Sequence, residues 1–162
     1  MQIRPSTPAD LPRLMAIYNK ARDFMAANGN PGQWINGYPQ ESQIAQDIAQ
    51  GHSYVCEEDG QIHGVFYFAI EADPSYATIE GQWLNDLPYG VIHRIAVDSP
   101  QRGLSLMCLD WCFQQIPNLR VDTHRDNVPM QKVLHKSGFV ACGVIRLVSS
   151  GDERLAFQKI AP

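Results

Sequence analysis

Two hydrophobic periods alternate along this chain, and each change of period marks an element. Leu11, Leu14, Met15, Tyr18 and Met25 recur at helical spacing, which predicts a helix with one buried face. Its entry is Thr7-Pro8-Ala9-Asp10: a hydroxyl for the cap, Pro at the first helical position, an acid three residues on. Residues 2–5 read as a short extended start, and the cluster Asn28-Gly29-Asn30-Pro31-Gly32 ends the helix. A loop bearing Gln33, Trp34, Tyr38 and Pro39 leads to a shorter helix over Ser42–Gln50. From His52 the period becomes that of strands. Ser53–Glu57 and Ile62–Glu71 flank Glu58-Asp59-Gly60, the signature of a hairpin with an Asp-Gly turn.

A less regular stretch, Ala72–Tyr89, carries Trp83 and several acids, and Val91–Val97 is strongly β-prone. Leu104–Ile116 is nearly continuously apolar, broken only by Ser105, Asp110, Gln114 and Gln115, and its length favours a deeply buried helix stopped by Pro117. Burial between a sheet and its neighbours explains such a helix, as does a contact in a homodimer. A strand Leu119–Thr123, a helix Val128–Ser137 ended by Gly138, and strands Phe139–Val148 and Arg154–Ile160 complete the chain. Helices interspersed with hairpins predict an α/β (α+β) fold, one domain over residues 1–162, with a mixed, mostly antiparallel central sheet and helices on both faces.

Composition narrows the partners. A net charge of −4, with Arg and Lys scattered, supplies no positive field for a nucleic-acid backbone. Cys56, Cys108, Cys112 and Cys142 show no metal-ligand spacing, so buried free thiols in a reducing compartment are expected, and no metal site. The opening Met1-Gln2-Ile3-Arg4-Pro5 has no apolar signal region, and no apolar run reaches the ~20 residues of a membrane helix. A cytoplasmic protein is expected.

The chemistry concentrates in two segments. In His93-Arg94-Ile95-Ala96-Val97-Asp98-Ser99-Pro100-Gln101-Arg102-Gly103-Leu104-Ser105 a strand ends, a polar loop follows and Gly103 opens the apolar helix. Such a turn offers unpaired N–H groups and a helix dipole to an anion, and a glycine lets backbone approach a phosphate. The second segment is Asp126-Asn127-Val128-Pro129-Met130-Gln131-Lys132-Val133-Leu134-His135-Lys136-Ser137-Gly138-Phe139, a capped helix with a Gly-Phe end. The Arg-Gly-Leu-Ser loop-helix, the Asn-x-x-Met…Gly-Phe unit and the opening Ile-Arg-Pro-Ser-Thr-Pro-Ala-Asp-Leu resemble the GNAT superfamily of N-acetyltransferases over essentially the whole chain.

That resemblance implies acetyl-coenzyme A as acetyl donor. Its pyrophosphate would meet the turn at Gln101, Arg102, Gly103, Leu104 and Ser105, and its pantetheine arm the strand at Ile95, Ala96 and Val97. A backbone N–H near Ile95 would polarise the thioester carbonyl. Asn127, Met130 and Lys132 would flank the other side. The family loop usually reads Gln/Arg-x-x-Gly-x-Gly/Ala; here those places hold Pro100, Gly103 and Ser105. The tyrosine that often protonates the departing thiolate, seven residues after the Asn, is here Leu134.

Attack by an amine calls for a base that titrates near neutrality, and His93 in the key strand is the first choice. It alternates with Val91, Ile95 and Val97, which is also the pattern of a core side chain. Glu80 is a second candidate base, and Tyr89 and Tyr38 are candidate acids. Trp34, Tyr38 and Trp83 are placed at the acceptor pocket, and Glu71, Asp73, Glu80 and Asp86 would suit a cationic amine. Cys108 and Cys112, in an apolar helix, are poor candidates for an acyl-thiol. Two functions follow: an N-acetyltransferase acting on a small-molecule or peptide amine by direct attack, or a non-catalytic acyl-coenzyme A-binding module on the same scaffold.

Overall fold

A computed structural model describes residues 1–162, apart from the side chain of Gln101. Strand β1 (Gln2–Pro5) leads through a 3₁₀ turn (Pro8–Asp10) into α1 (Leu11–Ala27). The carboxylate of Asp10 accepts from the Thr7 backbone N–H at 2.8 Å and pairs with Arg4 at 2.9 Å, which fastens this entry to the sheet. Helix α2 (Glu41–Ala49) precedes the hairpin of β2 (Ser53–Glu58) and β3 (Gln61–Ile70). Asp59 and Gly60 both take positive φ, 52° and 76°, as the tight turn between twisted strands requires.

The remaining elements are β4 (Glu80–Gly81), β5 (Gly90–Val97), α3 (Leu104–Gln115), β6 (Asn118–Thr123), α4 (Val128–Ser137), β7 (Val140–Arg146) and β8 (Glu153–Ile160). They build one eight-stranded sheet in the order β1-β2-β3-β5-β6-β8-β7-β4. Every neighbouring pair is antiparallel except β5–β6. The stretch that reads as irregular, residues 72–89, thus contains a second 3₁₀ turn (Pro74–Tyr76) and the edge strand β4. Two residues carry no detectable period. What holds them is the partner strand: a Cβ added at Gly81 would lie 2.2 Å from the Cys142 carbonyl, so only glycine permits that approach.

Helices α3 and α4 cover one face, over a core of Cys56, Phe66, Phe68, Ile92, Val121 and Phe157. Helices α1 and α2 cover part of the other, against Val55, Val65 and Ala96. Residues 72–89 cover the rest, with Tyr76, Trp83 and Tyr89 packed near Tyr67, Val91 and Ala156. The apolar circumference of α3 is accounted for within the fold. Leu104, Cys108, Leu109 and Cys112 are buried, Trp111 packs on Tyr54, Phe66 and Phe68, and Lys159 covers the Phe113 ring at 4.3 Å. The thiols of Cys56, Cys108 and Cys112 are free and buried, and burial raises that of Cys112. Among the described residues no helix is long and apolar enough to cross a membrane.

Candidate active site

The site originates in a fault in β5. Strands β5 and β6 pair only at Gly90–Leu119 and Val91–Arg120, and then diverge. On the opposite edge of β5 the ladder to β3 shifts register between Val65–Ala96 and Tyr67–His93. Arg94, at φ 49°, stands within this bulge. A bulge adds a residue to one strand and increases local bend and twist, which turns β5 away from β6. It also breaks the alternation of side chains. His93 and Arg94 both lie against the Tyr67 ring, at 5.5 Å and 4.8 Å, whereas Ile92 and Ile95 face the α3–α4 core. The strict alternation expected of His93 with Ile95 and Val97 therefore does not hold.

Beyond the bulge, the edge of β5 facing β6 is unpaired, so its backbone groups are available to a ligand. The chain passes through the 3₁₀ turn Pro100–Arg102 to Gly103, at φ 69°, which opens α3. Among the described residues no side chain caps that helix, and its first N–H groups have no intrahelical partner. On the far side Asn127 caps α4. Its Oδ1 accepts from Met130 N–H at 3.2 Å, and its Nδ2 donates to Gln33 Oε1 at 2.9 Å.

The gap is a cleft in two halves. One, about 380 Å3, is lined by Ile95, Ala96, Val97, Gly103, Ser105 and Lys132, with Lys20, Asn30 and Lys136 among the others. Its second half, about 400 Å3, is lined by Trp34, Tyr38, Asp73, His93, Arg94, Asp122 and Arg154 among others. Met25, Ile95, Asn127 and Met130 line both, so the halves meet at the middle of the splayed strands. Asn30 Oδ1 in the first half is buried without a hydrogen-bond partner.

The second half holds the titratable groups. His93 Nε2 lies 2.8 Å from Asp73 Oδ2. Asp73 caps the 3₁₀ turn by accepting from Ser75 N–H at 2.9 Å, and its own N–H donates to the Tyr89 hydroxyl at 2.9 Å. Burial works to raise the Asp73 carboxyl, but the hydrogen bond and charge of His93 outweigh it and hold Asp73 below the usual range. Burial raises Asp122, although it accepts from the Tyr76 hydroxyl at 2.7 Å. Arg94 grips Asp47 of α2 with two bonds of 2.9 Å and donates to the Tyr38 hydroxyl at 3.0 Å. Trp34 packs edge-on to Tyr38 at 6.2 Å and tilted on Tyr18 at 5.8 Å.

Four expectations need correction. Glu80 is on the edge strand, exposed, with Arg146 at 3.9 Å, because β4 is drawn to β7 and away from the cleft. Trp83 and Tyr89 do not line the cleft: they stack on the Arg120 guanidinium at 4.2 Å and 4.1 Å, so their rings serve packing. Arg102 turns to Glu58, at 2.7 Å, instead of lining the cleft. Of the four acids grouped as an amine-attracting cluster, only Asp73 lines the cleft, Glu71 being engaged by the Tyr67 hydroxyl at 2.6 Å. Leu104 starts α3 but buries its side chain in the core, and Gln101 lies outside the described side chains. Leu134 is fully buried and offers no proton donor to the cleft.

Sequence reading missed Arg94, Asp122 and Arg154, and missed Lys20 and Asn30. Asp47 and Arg94 are neighbours only through the fold, so no local spacing announces them. Polar residues at strand positions that alternate with buried apolar ones, such as Asp122 and Arg154, are the one signal the sequence carried.

The sheet thus splays beside a helix N-terminus, and a His–Asp pair lines the cleft this opens. Known proteins share this architecture. The acetyltransferase (GNAT) family matches over residues 14–139. An acetyltransferase of the GNAT family from Streptococcus agalactiae 2603 superposes with a TM-score of 0.89 at 36% identity, over 99% of this chain and 95% of that one. A GNAT-family acetyltransferase from Listeria monocytogenes 4b F2365 gives 0.71 at 19% identity, over 98% and 93%. The ribosomal-protein-alanine N-acetyltransferase of Brucella melitensis gives 0.63 at 21% identity, over 99% and 100%. Among curated proteins none matches. The chain belongs to the GNAT family of acetyltransferases, and is an acyltransferase enzyme.

Proposed function

We propose that this chain, acting as one domain, transfers the acetyl group of acetyl-coenzyme A to a primary amine, with His93 as general base. The observation that carries this reading is the His93–Asp73 pair in a half-cleft that meets a second half-cleft at Ile95 and Met130. Bound acetyl-coenzyme A would supply a thioester carbon open to nucleophilic attack. The residues present suit it. The free N–H groups at the start of α3, with Lys132, Lys136 and Lys20 around them, form an anion site. The unpaired backbone edge at Ile95–Val97 suits the amides of an extended arm, and an N–H there would stabilise developing negative charge on the acetyl oxygen.

With Nε2–H held by Asp73, the Nδ1 lone pair of His93 is the one left to accept a proton from the amine. The amine nitrogen bonds to the acetyl carbon, the carbon–sulfur bond breaks, and the proton lost by nitrogen ends on His93. Because Leu134 stands where a tyrosine is usual in the family, the departing thiolate takes its proton from solvent.

Calorimetric titration with acetyl-coenzyme A, followed by an assay of coenzyme A release across a panel of amines, tests the reading. Ser105→Asp puts a negative charge at the start of α3 and should weaken acetyl-coenzyme A by about tenfold, roughly 1.4 kcal/mol. His93→Gln should lower kcat by about 100-fold or more. An unchanged kcat in His93→Gln would remove His93 from the mechanism. Saturable binding with no release for any amine would instead favour a binding module.

A further inference from the structure

Two arginines line the acceptor half of the cleft, and their electrostatic situations differ. Arg94 is neutralised: its guanidinium is gripped by Asp47, itself 2% exposed. Arg154, near the start of β8, is 6% exposed, and among the described residues no carboxylate lies within ion-pairing distance of it. Its nitrogens donate to two backbone carbonyls, of Glu153 at 2.9 Å and Gln33 at 3.3 Å. Guanidinium has five N–H donors in a planar fork suited to carboxylate, so most of that capacity is unspent. Of the acids nearby, Asp73 holds His93, Asp122 takes the Tyr76 hydroxyl, and Glu153 pairs outward with Arg146 at 2.9 Å and Arg125 at 3.3 Å. Asp152 lines the same half-cleft but does not pair with Arg154. The charge is felt locally: the charge of Arg154 works to lower the Asp122 carboxyl against its burial, and burial, then Arg154, lower the pKa of His124.

A buried guanidinium with no directly paired carboxylate is costly to keep, and the cost is recovered where a ligand brings an anion to it. The fold maintains this charge in the same half-cleft as His93. We infer that the acceptor carries a carboxylate as well as its amine, the carboxylate bound by Arg154 and the amine presented to His93: a free amino acid or close analogue, not the N-terminus of a protein. This rests on the acetyl-transfer reading for the role of His93, but the carboxylate site stands on Arg154 alone. A peptide N-terminus is disfavoured because the α-carboxyl of its first residue is tied up in the peptide bond. A cleft half of about 400 Å3 suits a small molecule.

The test is binding, kept separate from turnover. The twenty L-amino acids and their twenty amides are titrated into the unaltered protein saturated with coenzyme A, and the same panel is assayed for coenzyme A release with acetyl-coenzyme A. The expected result is at least one amino acid that binds ten times or more tighter than its own amide. That preference should vanish in Arg154→Gln, with the variant shown folded by circular dichroism, and be partly kept in Arg154→Lys. Equal affinity of acid and amide throughout, no binding by any of the amino acids, or a preference that persists in Arg154→Gln would overturn the inference. Since the acid–amide comparison uses unaltered protein, instability of a variant does not rescue or sink it. Selective binding of an amino acid without coenzyme A release would leave the carboxylate site standing and count against the acetyl-transfer reading.

Discussion

Replacing Arg94 by Met tests whether the bulge in β5 is secured by charge. Asp47 and Arg94 are 2% and 11% exposed in their side chains, and two bonds of 2.9 Å join them. Charge-assisted bonds contribute about 1.5–3 kcal/mol each. Without Arg94, the Asp47 carboxylate keeps only the Gln43 amide, at 3.0 Å, in a setting nearly closed to water. Stranding one partner of a buried pair typically costs about 3–5 kcal/mol, which agrees with the sum of the two bonds. A domain of this size has about 5–15 kcal/mol in total, so Arg94→Met should remove roughly a fifth of it or more. Urea unfolding followed by tryptophan fluorescence measures this, with an unchanged m-value confirming a common unfolded state. The double variant Asp47→Leu/Arg94→Met strands no charge and should lose less than about 2 kcal/mol. Should Arg94→Met lose under about 1 kcal/mol, or the double variant lose as much as the single one, the pair does not secure the bulge electrostatically.

Two further changes have expected signs. Burial raises Asp122 above its unfolded value, so its contribution to stability is full below about pH 4 and is lost as pH rises through the folded value. Asp122→Asn, which can still accept from Tyr76, should therefore raise the melting temperature at pH 7 and leave it unchanged near pH 3.5; a lower melting temperature at pH 7 would contradict the sign. Gly143→Ala would put a Cβ 2.1 Å from the Glu80 carbonyl at a φ of 148°, and should release β4 from β7 at a cost of about 1–3 kcal/mol. Amide exchange at Glu80 and Gly81 should quicken while the β5 amides are unaffected.

The elements were legible because each is encoded by contacts close in sequence. Helical spacing through Leu14 and Tyr18, the Asp59-Gly60 turn and Gly138 after α4 each state a local conformation that the fold only had to accept. The anion site at the start of α3 was legible for the same reason, since a glycine before an apolar helix is a local statement. Strand β4 was not, because two residues have no period and are held by a partner about 60 positions away.

The acceptor half of the cleft depended on the tertiary structure throughout. The bulge at Arg94 turned two consecutive side chains onto one face, which no alternation rule predicts. It made a pair of Arg94 and Asp47; elsewhere the 3₁₀ turn after Asp73 meets His93, and among the described residues no carboxylate ion-pairs with Arg154. The sequence by itself determined which segments are helix and which are strand, and that the chain has the order of a GNAT acetyltransferase. Which charges meet and which are left uncompensated was decided only on folding, because electrostatic partners are set by distance in space, and the strand splay that creates the cleft is a property of the whole sheet.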